Sequence, residues 1–203
     1  TSTARPTSIT LKLLRDGQDY KEMTVYSSDS NDWSYAFNNL PKYKPHTTEP
    51  YNYTVEEVSV PGYNTTYEGT AINNTLITTE VAGSKTWVDN NAAMRPKSIK
   101  VTLQKTVNGT TTDVKTETIP DDQGNWNWKW EKLPTYEYVD NIPYEVTYNV
   151  VEERVPYYET TYSGYNITNT HTPDQTSITV TKAWDDKGNQ DGIRPNDITV
   201  KLL

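Results

Sequence analysis

The chain lacks cysteine and has no long apolar run. Without cysteine it forms no disulfide, no zinc–thiolate site and no thiol nucleophile. No stretch approaches the ~18 consecutive apolar residues that span a membrane, so no membrane insertion is predicted for these 203 residues. The opening sequence, TSTARPTS, lacks the apolar core of a signal peptide. We therefore expect a mature or excised segment.

Positive charge and histidine are also scarce. The chain carries 19 Lys and Arg against 27 Asp and Glu, a formal net charge of −8. A nucleic-acid-binding domain needs a basic stripe, so no nucleic-acid partner is predicted. The lone histidines, His46 and His171, have no Ser and Asp arranged about them for a hydrolytic triad. The acidic loop at 185–192 does not match the spacing of an EF-hand calcium loop, and no metal or cofactor site is predicted.

The residues that are abundant favour strands. Thr, Tyr, Trp and Val are frequent, Gly and Pro recur at intervals, and no helical period is visible. This composition predicts an all-β fold. Seven short strands are predicted in the middle of the chain, near 81–88, 97–106, 113–119, 124–131, 144–153, 157–162 and 165–171. Seven strands in a segment of this length are typical of a sandwich of two packed sheets.

Segments of the chain repeat one another at a spacing of roughly 90–100 residues, which predicts tandem domains rather than a solenoid of short units. ARPTSITLKLL returns as MRPKSIKVTLQ and as IRPNDITVKLL, and DWSYAFNNLPKY returns as NWNWKWEKLPTY. We interpret residues 1–79 as a first copy without its opening lysine strand, residues 80–172 as a complete copy, and residues 173–203 as the first two strands of a third. A copy without one strand has an open sheet edge, which invites pairing with another strand.

Each opening strand carries a lysine two residues before a tryptophan. Side chains alternate between the two faces of a strand, so Lys85 shares a face with Val81 and Trp87, and Lys182 shares one with Trp184. The tryptophan is expected to point into the core, and a lysine is almost never buried unless it is paired. Two inward lysines in equivalent places therefore predict a buried polar partner.

The same alternation turns an acid and an amide toward the core near the end of each full copy. These residues are Glu152 and Asn169 in the complete copy, and Glu57 and Asn74 in the first. Burial lowers the pKa of a lysine, which makes its amine a nucleophile, and an acid beside it can shuttle protons. Attack on the carboxamide with loss of ammonia leaves an amide between Lys85 and Asn169, and proximity supplies most of the rate.

The motifs KTW, RPxxIxVxL, WxWxWxxLPxY, YxVxE and a closing NT follow one another in this order. In this combination the whole chain resembles the collagen-adhesin B-type (Cna B) domains of Gram-positive surface proteins. The resemblance implies tandem Ig-like β-sandwiches that form spontaneous Lys–Asn isopeptide bonds with a nearby acidic catalyst. By motif position it implies the crosslink residues Lys85, Asn169, Asn74 and Lys182 and the catalytic acids Glu152 and Glu57. Three alternatives stay open for Lys182: a bond to Asn74 of its own chain, a bond to Asn74 of a neighbouring chain, or no bond.

These features predict a structural stalk that holds a binding head away from the cell, as part of a cell-wall-attached extracellular adhesin or pilus-like protein. Its partners are neighbouring repeats, with strand exchange between chains left open and the host ligand unidentified. It turns over no substrate, because its only chemistry is the internal crosslink.

The alternative is a binding module that recognises a host glycan or a matrix protein through surface aromatics. The stripe of Trp126, Trp128 and Trp130, matched by Trp33, Tyr35 and Phe37, favours core over a sugar platform. Binding of a host ligand by this segment alone would favour the alternative.

Overall fold

The protein is described from a computed structural model that covers residues 3–27, 33–90, 94–171 and 176–202. Fourteen strands and no helix are present in these ranges, which confirms the all-β prediction. The chain divides into two compact units, Thr1–Thr172 and Pro173–Leu203. Among the described residues, no helix has the length and apolar character needed to cross a membrane.

The first repeat contains five strands in two sheets. They are β1 (Ser8–Arg15), β2 (Gln18–Tyr26), β3 (Tyr53–Glu57), β4 (Tyr63–Glu68) and β5 (Ala71–Leu76). One sheet has the order β2-β1-β3, and β4 and β5 pair as a separate antiparallel hairpin. Leu11 and Leu13 of β1 are buried, and Leu14 is buried as well after a register shift between Leu13 and Leu14.

The second repeat contains nine strands. They are β6 (Thr78–Val88), β7 (Ser98–Val107), β8 (Thr110–Pro120), β9 (Asn127–Pro134), β10 (Tyr136–Val139), β11 (Ile142–Glu145), β12 (Thr147–Glu152), β13 (Tyr158–Ser163) and β14 (Asn166–His171). A three-stranded sheet has the order β12-β7-β8, and a four-stranded sheet has the order β13-β14-β6-β9. Strands β6 and β14 are parallel neighbours.

The core of the second repeat lies between its three- and four-stranded sheets. Strand β7 directs Val101 and Leu103 inward, and the facing sheet contributes the tryptophans of the segment that contains β9. Trp126, Trp128 and Trp130 are each at most 5% exposed. The two-sheet sandwich is therefore confirmed, and the tryptophan stripe is core rather than a surface platform.

A hairpin formed by β10 and β11 was not among the seven predicted strands. The prediction of one strand over 144–153 is wrong, because this segment belongs to two strands that lie in different sheets. Asp140 and Asn141 connect the hairpin with φ of 50° and 64°. Positive φ at both central residues is typical of a type I′ hairpin turn, which Asn and Asp tolerate.

This hairpin joins the two repeats. Thr3 and Tyr138 exchange two backbone hydrogen bonds, of 3.1 and 2.7 Å, and the Tyr138 hydroxyl donates to the Pro61 carbonyl at 2.7 Å. Burial raises the pKa of Tyr138 to about 12. Along the chain, the single residue Ile77 separates the end of β5 from the start of β6. The junction between the repeats is therefore short and hydrogen-bonded.

The second unit, described over residues 176–202, contains no strand in that range. The Arg194 guanidinium donates to Asp186 at 2.8 Å across a turn and lowers the pKa of that carboxyl. The two strands that the repeat pattern predicts here are not formed. In the second repeat the equivalent strands, β6 and β7, pair with β8, β9, β12 and β14. Residues 176–202 contain no strand that corresponds to any of these partners.

Candidate functional site

The candidate site lies in the core of the second repeat, where a lysine from one sheet meets an acid from the other. Lys85 projects inward from β6, and Glu152 projects inward from the end of β12 in the facing sheet. Nζ of Lys85 lies 2.6 Å from Oε1 of Glu152, and both side chains are fully buried. The neighbouring Glu153 is exposed and pairs with Lys100 instead.

Asn169 lies beside Lys85 on the adjacent parallel strand. The register pairs Ile167 with Lys85 and Asn169 with Trp87, so Lys85 and Asn169 are diagonal neighbours on the inward face. Asn169 is 0% exposed. Neither its Nδ2 nor its Oδ1 has a hydrogen-bond partner among the described residues. A buried carboxamide without partners costs free energy, which is unusual for a residue with only a structural role.

Two side chains of β13 hold the acid in place. Oγ1 of Thr160 donates to Oε2 of Glu152 at 3.2 Å, and the Tyr162 hydroxyl accepts from the Glu152 backbone N–H at 3.1 Å. Thr160 also pairs with Asn169 in the sheet register. Each carboxylate oxygen of Glu152 therefore has one donor, Lys85 on Oε1 and Thr160 on Oε2.

Burial controls the charge of the lysine. Loss of hydration lowers the pKa of Lys85 from 10.5 to about 8, and the hydrogen bond and charge of Glu152 only partly offset this effect. The ammonium also lies 4.9 Å from the Trp87 ring centroid, within cation–π range. The neutral amine is the nucleophilic form, and at neutral pH it is consequently a far larger fraction of Lys85 than of a surface lysine.

Close packing seals the site at Gly83, two residues before Lys85. A Cβ at this position would stand 2.6 Å from Nε1 of Trp128 and would also overlap the carbonyl oxygen of Tyr165. Only glycine allows β6 to pass between these groups. Strand β6, which positions Lys85, is thus in direct contact with Trp128 on one side and Tyr165 on the other. This packing excludes water from the cluster of Lys85, Glu152 and Asn169.

The first repeat contains the same acid, amide and threonine without a lysine. Nδ2 of Asn74 donates to Oε1 of Glu57 at 2.9 Å. Oγ1 of Thr65 lies 3.1 Å from Oε2 of Glu57 and 2.7 Å from Oδ1 of Asn74. The Glu57 backbone N–H donates to the Tyr67 hydroxyl at 2.9 Å, as in the second repeat. Asn74 is exposed and Glu57 is half-buried, because no strand among the described residues covers them.

Lys182, the remaining predicted crosslink residue, belongs to the second unit and is exposed. Its Nζ donates to the Ala183 carbonyl at 2.5 Å and lies 4.0 Å from the Trp184 ring centroid. The structure therefore brings together Lys85, Glu152 and Asn169, and separately Glu57 and Asn74. Sequence analysis missed Thr160 and Thr65, although both precede the Tyr of a Thr-Thr-Tyr motif at matching repeat positions.

No group of three metal-ligating side chains occurs in the parts of the chain that the structure describes. The large exposed aromatics among the described residues are scattered, and they include Tyr26, Tyr157 and Trp184. Within the cluster of Lys85, Glu152 and Asn169, the pairing of an amine with a carboxamide would allow transfer of the Asn169 acyl group from its own nitrogen to the Lys85 amine.

Comparisons with known proteins match both repeats and the second unit. A family model described as Cna protein B-type domain matches residues 1–75, 81–170 and 178–203. The collagen adhesin of Staphylococcus aureus is 36% identical over 211 residues, an alignment that covers 98% of this chain and 17% of that protein. The chain thus spans less than a fifth of that relative.

Two solved structures are also similar. Two B repeat units of the collagen-binding protein of Staphylococcus aureus are 35% identical with a TM-score of 0.44, covering 95% of this chain and 51% of that one. The pilus adhesin SpaC of Lactobacillus rhamnosus GG is 19% identical with a TM-score of 0.36, covering 49% and 13%.

Proposed function

The chain belongs to the Cna protein B-type domain family, and from this premise we propose that it is a stalk segment of a Gram-positive cell-surface adhesin or pilin. In this proposal the second repeat crosslinks itself once, through an isopeptide bond between Lys85 and Asn169 with Glu152 as catalyst. The supporting observation is the buried Lys85–Glu152 contact of 2.6 Å beside an Asn169 carboxamide that has no hydrogen-bond partner among the described residues.

The reaction begins with proton transfer from Lys85 to Glu152 across their hydrogen bond. The neutral Nζ then attacks Cγ of Asn169, and a C–N bond forms. Glu152 returns its proton to Nδ2 of Asn169, the Cγ–Nδ2 bond breaks, and ammonia leaves. Nζ, which still carries two protons, then releases one of them to Glu152, so the product is a neutral secondary amide. Atoms balance, because one amine and one primary amide give one secondary amide and one ammonia. No oxidant or cofactor is consumed.

The rate comes from position rather than from an unusually reactive group. Groups held in contact react with effective molarities of roughly 10⁵ M or more when they are well oriented. Burial supplies neutral amine by lowering the pKa of Lys85 to about 8. The unpartnered Asn169 carboxamide raises the free energy of the starting state, and its conversion into the crosslink relieves that cost.

The position of the bond gives it a mechanical role outside the cell. Lys85 lies on the strand that enters the second repeat, and Asn169 lies on the strand that leaves it. Tension applied along the chain would pass through β6, the new amide and β14, and the strands between them would carry little load. A cysteine-free protein would gain a covalent staple in this way.

Intact-mass measurement tests the proposal. We expect the purified chain to be lighter than its sequence by one ammonia for the second repeat, and Asn169→Ala to show no loss. Asn166→Ala is the matched control, because Asn166 lies on the same strand but its side chain accepts hydrogen bonds from Ser84 and from no other residue that the structure describes. Full sequence mass in the folded wild-type chain would refute the crosslink.

A further inference from the structure

Four side chains meet at one end of the four-stranded sheet of the second repeat, outside the polar cluster of the candidate site. The Arg95 guanidinium donates to both carboxylate oxygens of Asp89, at 3.0 and 2.5 Å. The Tyr158 hydroxyl donates to Oδ2 of the same carboxylate at 2.9 Å. The Trp87 ring centroid lies 5.4 Å from Cζ of Arg95 and 4.9 Å from the Tyr158 ring centroid. Asp89, Arg95, Tyr158 and Trp87 together form what we call the sheet-end cap.

The ion pair of the sheet-end cap differs from the exposed pairs of this chain. The Asp89 side chain is 1% exposed and that of Arg95 is 24% exposed. A buried carboxylate costs free energy unless hydrogen bonds replace its hydration, and two bonds from Arg95 and one from Tyr158 do so here. Burial, and then the hydrogen bond to Asp89, raise the pKa of Tyr158, so its hydroxyl remains a donor. The cap is therefore a fixed, charge-assisted contact.

The sheet-end cap reaches across the strand that carries Asn169. The sheet has the order β13-β14-β6 on this side, Tyr158 begins β13, and Asp89 directly follows β6. Tyr158 pairs in the register with His171, the last residue of β14. The hydrogen bond from Tyr158 to Asp89 thus passes over the end of β14 and bridges two strand spacings, about 9.5 Å. Because β14 and β6 pair over four residue pairs, this bridge reinforces a short ladder.

Trp87 belongs both to the sheet-end cap and to the surroundings of the reacting groups. Its ring centroid lies 4.9 Å from Nζ of Lys85, and the residue pairs with Asn169 in the parallel register. The ring also packs edge-on against Trp126, with centroids 5.4 Å apart. An indole held by Trp126 and by Arg95 loses both contacts if it turns away. Its position therefore restrains the neighbouring lysine.

The second unit contains the corresponding contacts within itself. There the Arg194 guanidinium donates to Asp186, and its Cζ lies 5.5 Å from the Trp184 ring centroid. Nζ of Lys182 lies 4.0 Å from the same ring. Seven residues lie between this acid and this arginine, whereas five lie between their counterparts in the second repeat. The lysine, tryptophan, acid and arginine thus meet in both places although the connecting loop differs in length.

We propose that the sheet-end cap positions Lys85 and Asn169 for the crosslink, acting through Trp87 and across β14. The effect on rate rests on the proposed function, whereas the contacts of the cap do not. Attack requires Nζ of the lysine to lie against Cγ of the amide, and the two residues stand on different strands. A displacement of about 1 Å can cost roughly 10²-fold in rate. The cap opposes such a displacement at the end of β14, two residues beyond Asn169.

Arg95, Asp89 and Tyr158 are positioning residues, and they take no part in proton transfer. Arg95 and Asp89 neutralise each other, and the contact from the cap to the lysine is made by the Trp87 ring. Loss of Glu152 removes the group that transfers protons and stops the reaction. Loss of the sheet-end cap should instead slow the reaction and leave its final extent unchanged.

Two variants of the full chain test the positioning role. Tyr158→Phe keeps the ring against Trp87 and removes the hydroxyl that reaches Asp89. Arg95→Met removes the guanidinium from both Asp89 and Trp87. Each variant is unfolded in urea, refolded and followed by intact mass. The second repeat should lose its ammonia about tenfold more slowly than in the wild-type chain, and it should reach the same final mass.

Matched controls change neighbouring residues outside the sheet-end cap. Tyr157→Phe removes a hydroxyl from the adjacent residue, which is 57% exposed, and Lys97→Met removes an exposed cation close to Arg95. Ile99→Val trims the core of the same repeat and lowers its stability without touching the cap. All three should crosslink at the wild-type rate. A slowing in Ile99→Val equal to that in Tyr158→Phe would overturn the proposal, because general destabilisation would then explain both.

A spectroscopic readout tests the sheet-end cap where the crosslink cannot form. In Asn169→Ala, labelling with fluorotryptophan gives one fluorine resonance for each of the six tryptophans. The resonance of Trp87 is assigned by its loss in Trp87→Phe. Lys85→Met and Arg95→Met, each added to Asn169→Ala, should both shift this resonance, because both cations lie within range of the ring.

The outcomes separate this proposal from the proposed function. A wild-type chain that keeps its full sequence mass refutes the proposed function, and the rate effect falls with it. A wild-type chain that loses ammonia, while Tyr158→Phe and Arg95→Met lose it equally fast, overturns the positioning role alone. A Trp87 resonance that does not respond to Arg95→Met also overturns it. Slow crosslinking in both variants, together with the shifted resonance, supports it.

Discussion

Nδ2 of Asn74 donates to Oε1 of Glu57 at 2.9 Å in the first repeat, and this is the contact that Lys85 makes with Glu152 in the second. Oε1 of the equivalent acid thus accepts from an amide in the first repeat and from an ammonium in the second. Where the ammonium is present, it takes the oxygen and leaves the Asn169 carboxamide without a partner among the described residues. The two repeats therefore show equivalent acids with different donors, an amide on Glu57 and an ammonium on Glu152.

Replacement of the acid should abolish the crosslink. We expect Glu152→Gln to retain its full sequence mass in the second repeat, because an amide cannot take the proton from Lys85. Intact-mass spectrometry of the folded chain measures this directly. Glu153→Gln changes the adjacent exposed acid and should crosslink normally; equal ammonia loss in both variants would contradict the role of Glu152.

Loss of the crosslink should lower the free energy of unfolding of the second repeat. On the loop-entropy model, closure between residues 85 and 169 is worth about 4–5 kcal/mol. Asn169→Ala isolates this effect, because the Lys85–Glu152 pair remains and the removed carboxamide made no hydrogen bond among the described residues. Urea denaturation measures it, and a loss below about 1 kcal/mol would argue that wild-type chains are not crosslinked.

Stability without the crosslink should depend on pH through Lys85. The pKa of Lys85 is lowered to about 8 in the folded chain but is near 10.4 when unfolded. Between these values the unfolded state holds more protons, so stability rises with pH, by about 3 kcal/mol at most. The comparison is Asn169→Ala with the double variant Asn169→Ala, Lys85→Met, between pH 8 and 9.5. Parallel curves would contradict the buried titration.

Thr160 should set the rate of crosslinking and not its final extent. Its hydroxyl donates to Oε2 of Glu152, and loss of a hydrogen bond to a charged group is worth roughly 1.5–3 kcal/mol. We therefore expect Thr160→Val to slow the reaction about tenfold or more when urea-unfolded chain is refolded and followed by mass. Thr161→Val, whose hydroxyl contacts only the Thr168 carbonyl at 3.4 Å, should react at the wild-type rate.

Gly83 should tolerate no larger residue. A Cβ there would overlap the Tyr165 carbonyl and the Trp128 indole, so we expect Gly83→Ala to cost about 3 kcal/mol and to displace Lys85, which slows crosslinking. Thermal unfolding and intact mass report the two effects. Ala82→Ser, on the exposed face of the same strand, should change stability by less than about 0.5 kcal/mol.

The sequence predicted the sandwich and the buried polar residues because both depend on alternation along single strands. Lys85, Glu152 and Asn169 each share a face with large apolar residues, and strand geometry alone turns them inward. The β10–β11 hairpin was missed because its turn, Asp140-Asn141, lies in a run of mixed polar and aromatic residues without a glycine. That run reads as loop when the pairing partner is unknown.

Other features could not be predicted from the sequence, because they depend on pairing between distant segments of the chain. The strand pattern around Lys182 is as clear as that around Lys85, yet residues 176–202 form no strand. A strand exists only when neighbours satisfy its backbone groups, and a local pattern cannot show whether they do. The role of Thr160 likewise depends on the facing sheet, which brings Glu152 within 3.2 Å.

The junction between the repeats affects the end-to-end distance that an array of such repeats can span. With a single residue between β5 and β6 and with Tyr138 bonded to both Thr3 and Pro61, the first and second repeats are held at a fixed angle. An array built with such joints is a stiff rod, so its end-to-end distance grows in proportion to the number of repeats. In a flexibly linked array, the end-to-end distance grows only as the square root of the number of repeats.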